Sequence, residues 1–182
     1  MEAVTTPTLG PGHTRDDLDR MPEDGNRYEL LEGEIVMSPS PRYVHQRISS
    51  QLHVLLAASC PEEWIVLSAP FDVELAIDTV VEPDLLVVER DRPEERGLTG
   101  PPLLVVEILS PSTRGRDLVR KKRLYEKAGV PSYWVVDPDG PGLTAWELHD
   151  GRYHTAVAVT GGEEWTASAP FPVTFTPAHV AR

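Results

Sequence analysis

Cysteine is nearly absent from this chain. Cys60 stands alone, which excludes an internal disulfide and any cysteine-rich zinc module and suits a reducing cytoplasm, the expected location. Long apolar runs are missing as well: no stretch approaches the length needed to cross a bilayer, so no membrane partner is expected, and no apolar segment follows a basic start. Positive charge is scarce, with 17 Lys and Arg against 29 Asp and Glu and a net charge of −12. That balance argues against a protein coating nucleic acid through a broadly basic surface. Several nucleotide and hydrolase signatures are also lacking: Gly-x-Gly-x-x-Gly, a phosphate-binding Gly-Lys-Ser/Thr loop, His-Glu-x-x-His and Gly-x-Ser-x-Gly. None of the six histidines shares metal-ligand spacing with another.

What is present is a central stretch from Val81 to Asp137. Two apolar runs, Leu85 to Val88 and Leu103 to Val106, read as strands buried on both faces. The link from Arg90 to Pro102 is charged, holds Gly97, Gly100 and three prolines, and has no helical period, so the runs pair as antiparallel neighbours through a loop. Asp84 precedes the first run and Glu107 follows the second, which brings both carboxylates to one sheet edge. A helix is predicted from Arg116 to Ala128, stopped by Gly129 and Pro131. The strand Tyr133 to Asp137 then pairs in parallel with the Glu107 strand through a right-handed crossover, ending Asp137 near the same edge. On the helix, Asp117, Lys121 and Tyr125 are spaced i, i+4, i+8 and share a face. Seven basic residues against two acidic ones between Arg114 and Lys127 read either as a phosphate-binding strip or as a solvated helix face.

Elsewhere, residues 1–20 read as a mobile leader and 21–182 as one domain. Tyr28 to Met37 reads as a hairpin turning at Glu32-Gly33. Ser40 and Pro41 open a helix whose stripe is Val44, Ile48, Leu52, Leu55 and Leu56. Strands follow at Trp64 to Leu67 and Phe71 to Leu75, a hairpin at Asp150-Gly151, and a final edge strand within Ala169 to Pro177. His45 lies early in the first helix, where it either serves the fold or turns toward the acidic edge. Ser110, Ser112 and Thr113 read as helix caps rather than nucleophiles.

Paired Asp and Glu oxygens suit a hard cation such as Mg2+ or Mn2+, with open positions for water and a phosphate, and a nearby lysine adds positive charge. Taken alone, Asp84 and Glu107 also read as ordinary strand-end carboxylates.

The segments Glu82-Pro83-Asp84, Val106 to Thr113, Asp117, Lys121, Tyr125 and Gly129 to Pro138 together resemble the Uma-two family of restriction endonuclease-like proteins, in the PD-(D/E)XK nuclease superfamily. The similarity extends to Tyr28-Glu29-Leu30, Gly33, Met37-Ser38-Pro39 and His45. It implies an α/β (α+β) fold, a mixed β-sheet flanked by helices, with added N- and C-terminal β-hairpins. It further implies Asp84 and Glu107 as metal-binding acids, the backbone carbonyl of Ile108 as a further ligand, and a lysine. The superfamily pattern sets that lysine two residues after the second acid, where this chain has Leu109; the family places it at Lys121 instead. Asp117, Tyr125 and His45 would support the site. The implied activity is metal-dependent hydrolysis of DNA phosphodiester bonds, with RNA open and a homodimer expected for a duplex cutter. The alternative is a nuclease-fold binding or regulatory module without cleavage. Glu107→Ala is expected to leave the fold intact.

Overall fold

Runs of Leu and Val without a polar face build the centre of the molecule, because a strand buried on both sides has no use for alternation. The computed structural model describes residues 8–110 and 114–181, without the side chains of Thr8, Arg116 and Asp117. In chain order it holds β1 (Thr8–Leu9), α1 (Arg15–Leu18), β2 (Arg27–Leu31), β3 (Glu34–Ser38), α2 (Tyr43–Ser59), β4 (Trp64–Ser68), β5 (Val73–Ala76), β6 (Thr79–Val81), β7 (Leu85–Glu89), β8 (Leu98–Thr99) and β9 (Leu104–Ile108). A π-helical segment, Arg116–Lys121, leads directly into α3 (Lys122–Ala128). β10 (Ser132–Asp137), β11 (Gly142–His149), β12 (Arg152–Thr160), β13 (Trp165–Ala167), β14 (Val173–Phe175) and α4 (Pro177–Val180) complete the chain.

The central mixed sheet has the order β12-β11-β10-β9-β7-β4. β7 and β9 are antiparallel with Leu85 opposite Val106, while β9 and β10 are parallel with Val135 opposite Glu107. Asp84, Glu107 and Asp137 therefore all finish at one edge, as the sequence predicts. On one face, Ile48, Leu52 and Leu56 of α2 pack against Leu85, Val87, Val106 and Trp134, joined by the C-terminal β13–β14 pair and α4. The opposite face, with Leu86, Val105 and Tyr133, is covered by Leu124 and Tyr125 of α3 and by Leu31, Val73 and Val81 of a second sheet ordered β1-β3-β2-β6-β5-β8. Among the described residues no helix is long and apolar enough to cross a membrane.

Both hairpins fall where the turn residues put them. Glu32 and Gly33 take φ of 51° and 79°, and Asp150 and Gly151 take 50° and 75°, the left-handed pair that a two-residue turn between twisted strands requires. Gly129 ends α3 with φ 84°, while Val130 N–H donates to the Tyr125 carbonyl at 3.0 Å.

Three expectations need correction. Within the stretch read as a mobile leader, β1 pairs with β3, and Leu18 of α1 is buried among Leu30, Ile35 and Val80, an apolar anchor too short to show periodicity. Ser40 does not cap α2. The helix starts at Tyr43 with Arg42 before it, and the Ser40 hydroxyl donates instead to the Gly25 carbonyl. The loop from Arg90 to Pro102 contains the short strand β8, parallel to β5. The C-terminal edge strand falls where it was expected, as β14, paired with β13 alone and followed by α4, capped by Thr176.

Candidate active site

Asp84 is 3% exposed and saturated with donors. Its Oδ2 accepts the Ile108 amide at 2.8 Å and lies 3.0 Å from His45 Nε2, while Oδ1 accepts Arg27 Nη1 at 2.9 Å. Burial alone would raise this carboxyl; the bonds from His45, Arg27 and the Ile108 amide overcome it and hold it down at about 2. Asp84 is therefore ionised at neutral pH. Because an ionised carboxylate only accepts, Nε2 of His45 carries the proton, and its Nδ1 is buried without a hydrogen-bond partner among the described residues. α2 turns His45 toward the acidic edge.

Glu107 is likewise buried. Its Oε1 accepts Lys121 Nζ at 2.6 Å and the Tyr125 hydroxyl at 2.7 Å. The π-helical segment ends at Lys121, directly before α3, and the i, i+4 spacing presents Lys121 and Tyr125 to one carboxylate oxygen from successive turns. Burial, then the charge of Glu107, push the Tyr125 hydroxyl well above its ordinary range, so it remains a proton donor. Asp117 belongs to the same segment by sequence, but its side chain lies outside the described residues.

Sequence reasoning assigned no role to Arg27, Glu29 or Glu82. Glu29, in β2, is buried with Oε1 2.8 Å from Lys121 Nζ and accepts the Glu82 amide at 2.9 Å. Arg27, two residues earlier on the same strand face, bridges Glu82 at 2.6 Å and Asp84. Burial works against its charge, yet Asp84 and Glu82 together raise it above the ordinary arginine range. Burial pushes Glu82 up to about 7, with Arg27 offsetting part of the shift. One connected network thus runs from His45 through Asp84, Arg27, Glu82, Glu29 and Lys121 to Glu107 and Tyr125. The signal available in the sequence was the alternation Arg27-x-Glu29-x-Leu31, which puts two charges in register with a core leucine.

The two acids meet space differently. Asp84, Glu82, Arg27 and His45 line a cleft of about 260 Å³ together with Asn26, Gln46 and other residues of the α2 start. Glu107 and Lys121 are buried and do not line it. For a divalent cation the donors fit: Asp84 and Glu107 offer hard oxygens on adjacent strand ends, and Asp84 is ionised. Among the described residues no group of three or more His, Cys, Asp or Glu side chains is placed to hold a metal ion by itself.

The basic strip does not survive as a free patch. Arg120 bonds Glu34 and the Leu31 carbonyl at 2.7 and 2.6 Å, Arg123 pairs with Glu32, Lys121 is buried, and Arg114 pairs with Asp137 at 2.8 Å. These cations tie the helix to the β2–β3 hairpin and to β10.

A mixed sheet with two acids at one edge, flanked by helices, defines a nuclease-type fold. A crystal structure from Anabaena variabilis, titled a putative nuclease, superimposes with a TM-score of 0.71 at 21% identity, over 87% of this chain and 90% of that one. The family model described as "Putative restriction endonuclease", Uma2, matches residues 15–181; the chain belongs to the Uma2 family. No curated protein matches it in sequence.

Proposed function

We propose that this protein is a metal-dependent endonuclease hydrolysing DNA phosphodiester bonds at the Asp84–Glu107 edge. The observation that carries this reading is Lys121 Nζ at 2.6 Å from Glu107 Oε1, an acid and a lysine in contact although Leu109 stands where the lysine is usual. Asp84 and Glu107 would hold Mg2+ or Mn2+, with the Ile108 carbonyl as a further donor. Such a cation, when bound, acidifies a water and neutralises charge on the phosphoryl oxygens. The chain supplies the rest. Lys121 holds positive charge beside Glu107 while Glu29 fixes its position, Tyr125 orients Glu107, and the Ile108 amide and His45 orient Asp84.

A second reading has its own support. Asp84 is already bonded to Arg27 and His45, and Glu107 to Lys121 and Tyr125, a site balanced without a cation, as a non-cleaving binding module would have. Incubating the purified protein with plasmid and short oligonucleotides in Mg2+ or Mn2+, beside Asp84→Asn and Glu107→Gln, separates the two. The nuclease reading expects cleavage by the parent and at least about a hundredfold loss in each variant. A folded parent that cuts nothing, or variants that cut equally well, would favour the binding module.

A further inference from the structure

We infer that the strand entering this cleft is single-stranded, and that Tyr43 is its stacking platform; the inference rests on the nuclease reading for the site but not for its test.

Three observations converge. First, duplex binding draws its affinity from many phosphates neutralised at once, and several of the cations best placed by sequence for that task are already engaged by acids of this chain. Arg120, Arg123 and Arg114 are paired with Glu34, Glu32 and Asp137, and Lys121 is buried. The chain as a whole carries −12. A contact that depends on few phosphates suits this surface better than one that depends on many.

Second, Asp84 is 3% exposed at the wall of a cleft of about 260 Å³. A phosphate reaches it by entering that space, which one flexible strand does more readily than a stiff base-paired helix. Side-chain amides of Asn26 and Gln46 and the hydroxyls of Ser40 and Ser49 line the approach, donors and acceptors suited to sugar and base edges.

Third, an exposed aromatic opens the helix whose first turns line the cleft. Tyr43 is the first residue of α2 and is 76% exposed, an unusual cost for a large ring. It lies between Pro41 and His45, which both line the cleft, and one turn before Gln46, which does too. The Arg47 guanidinium sits 5.8 Å from its ring centre, steadying the ring and leaving a face for a base. Exposed Arg42 adjoins it. An aromatic face beside a few cations is how single strands are held without sequence preference.

The test is fluorescence anisotropy in EDTA, so that no metal and no cleavage intervene, with a short labelled DNA strand and the same strand folded into a hairpin duplex. The single strand is expected to bind at least about tenfold tighter than the duplex, Tyr43→Ala to lose about tenfold, and Tyr43→Phe, which keeps the ring, to stay within about twofold. Tyr43 is too exposed for its loss to unfold the chain. Equal or tighter duplex binding, an unaffected Tyr43→Ala, or no binding of either probe would overturn the inference. Tyr43-dependent single-strand binding by a protein that then cleaves nothing in Mn2+ supports this inference and removes the nuclease reading. Cleavage that prefers duplex does the reverse.

Discussion

Lys121 meets Glu107 across fourteen residues, its Nζ 2.6 Å from Oε1, while Glu29 of the distant β2 strand stands 2.8 Å from the same nitrogen. One buried ammonium thus serves two buried carboxylates, and the three form a unit that neither strand nor helix could hold alone.

Removing the shared cation should therefore be felt in the fold before it is felt in chemistry. Lys121→Ala leaves Glu29 and Glu107 facing each other without that charge, and breaking a buried pair in this way costs about 3–5 kcal/mol. Urea denaturation of parent and variant measures it directly. A loss below about 1 kcal/mol, the value of an exposed pair, would mean that water reaches the cluster. The same logic overturns the expectation that Glu107→Ala is structurally silent: a carboxylate 2% exposed with two buried donors is part of the core's polar accounting, and its truncation should destabilise comparably.

Tyr125→Phe isolates the hydroxyl. The ring stays packed against Tyr133, 5.1 Å between centres, and only the bond to Glu107 is lost, worth about 1.5–3 kcal/mol to a charged acceptor. Thermal unfolding should show that loss with an unchanged circular dichroism spectrum. If Glu107 orientation matters for hydrolysis, turnover falls further than stability does; equal KM with lower kcat is the expected pattern.

Acid should weaken the fold through Asp84. Its folded value, about 2, lies below the ordinary 3.8, so the native state binds its proton less readily than the unfolded chain. The stability this provides is fully present above about pH 4 and is lost as the pH falls from there through 2, about 2 kcal/mol in all. Asp84→Asn cannot titrate, so its stability curve over that window should be flatter than the parent's by that amount. Parallel curves would show that the carboxyl is not held down in the folded protein.

How far the sequence carried this site depends on where each interaction's information lies. The meeting of Asp84 and Glu107 at one edge was legible because apolar runs, turn residues and a crossover helix set strand order and direction; the register, Leu85 opposite Val106, was not. Lys121 and Tyr125 could be placed together on one face of the right helix by their i, i+4 spacing, but the π-helical segment that precedes Tyr125's turn has no compositional mark. Arg27 and Glu29 showed only as an alternation with Leu31, without their partners. Those lie far away in sequence, Asp84 57 residues beyond Arg27, and no local spacing marks which charges meet across sheets. The basic strip misled in the same way: its charges are real, but acids on the β2–β3 hairpin decide which way they point.

Arg27 offers the sharpest test of whether this network restrains a metal site or merely builds one. It stays charged and bonds both Glu82 and Asp84, so any cation approaching Asp84 meets a resident positive charge. At a few ångströms such a repulsion is worth about 4 kcal/mol in a partly screened setting. Arg27→Gln keeps a donor of similar reach without the charge. Calorimetric titration with Mn2+ should then show affinity raised by at least about tenfold, alongside a loss of about 3 kcal/mol in folding stability from the broken pairs. The opposite result, weaker Mn2+ binding in a variant that remains folded, would mean that Arg27 holds Asp84 in place for the metal rather than competing with it, and the balanced, metal-free network would then be the scaffold of the site and not its brake.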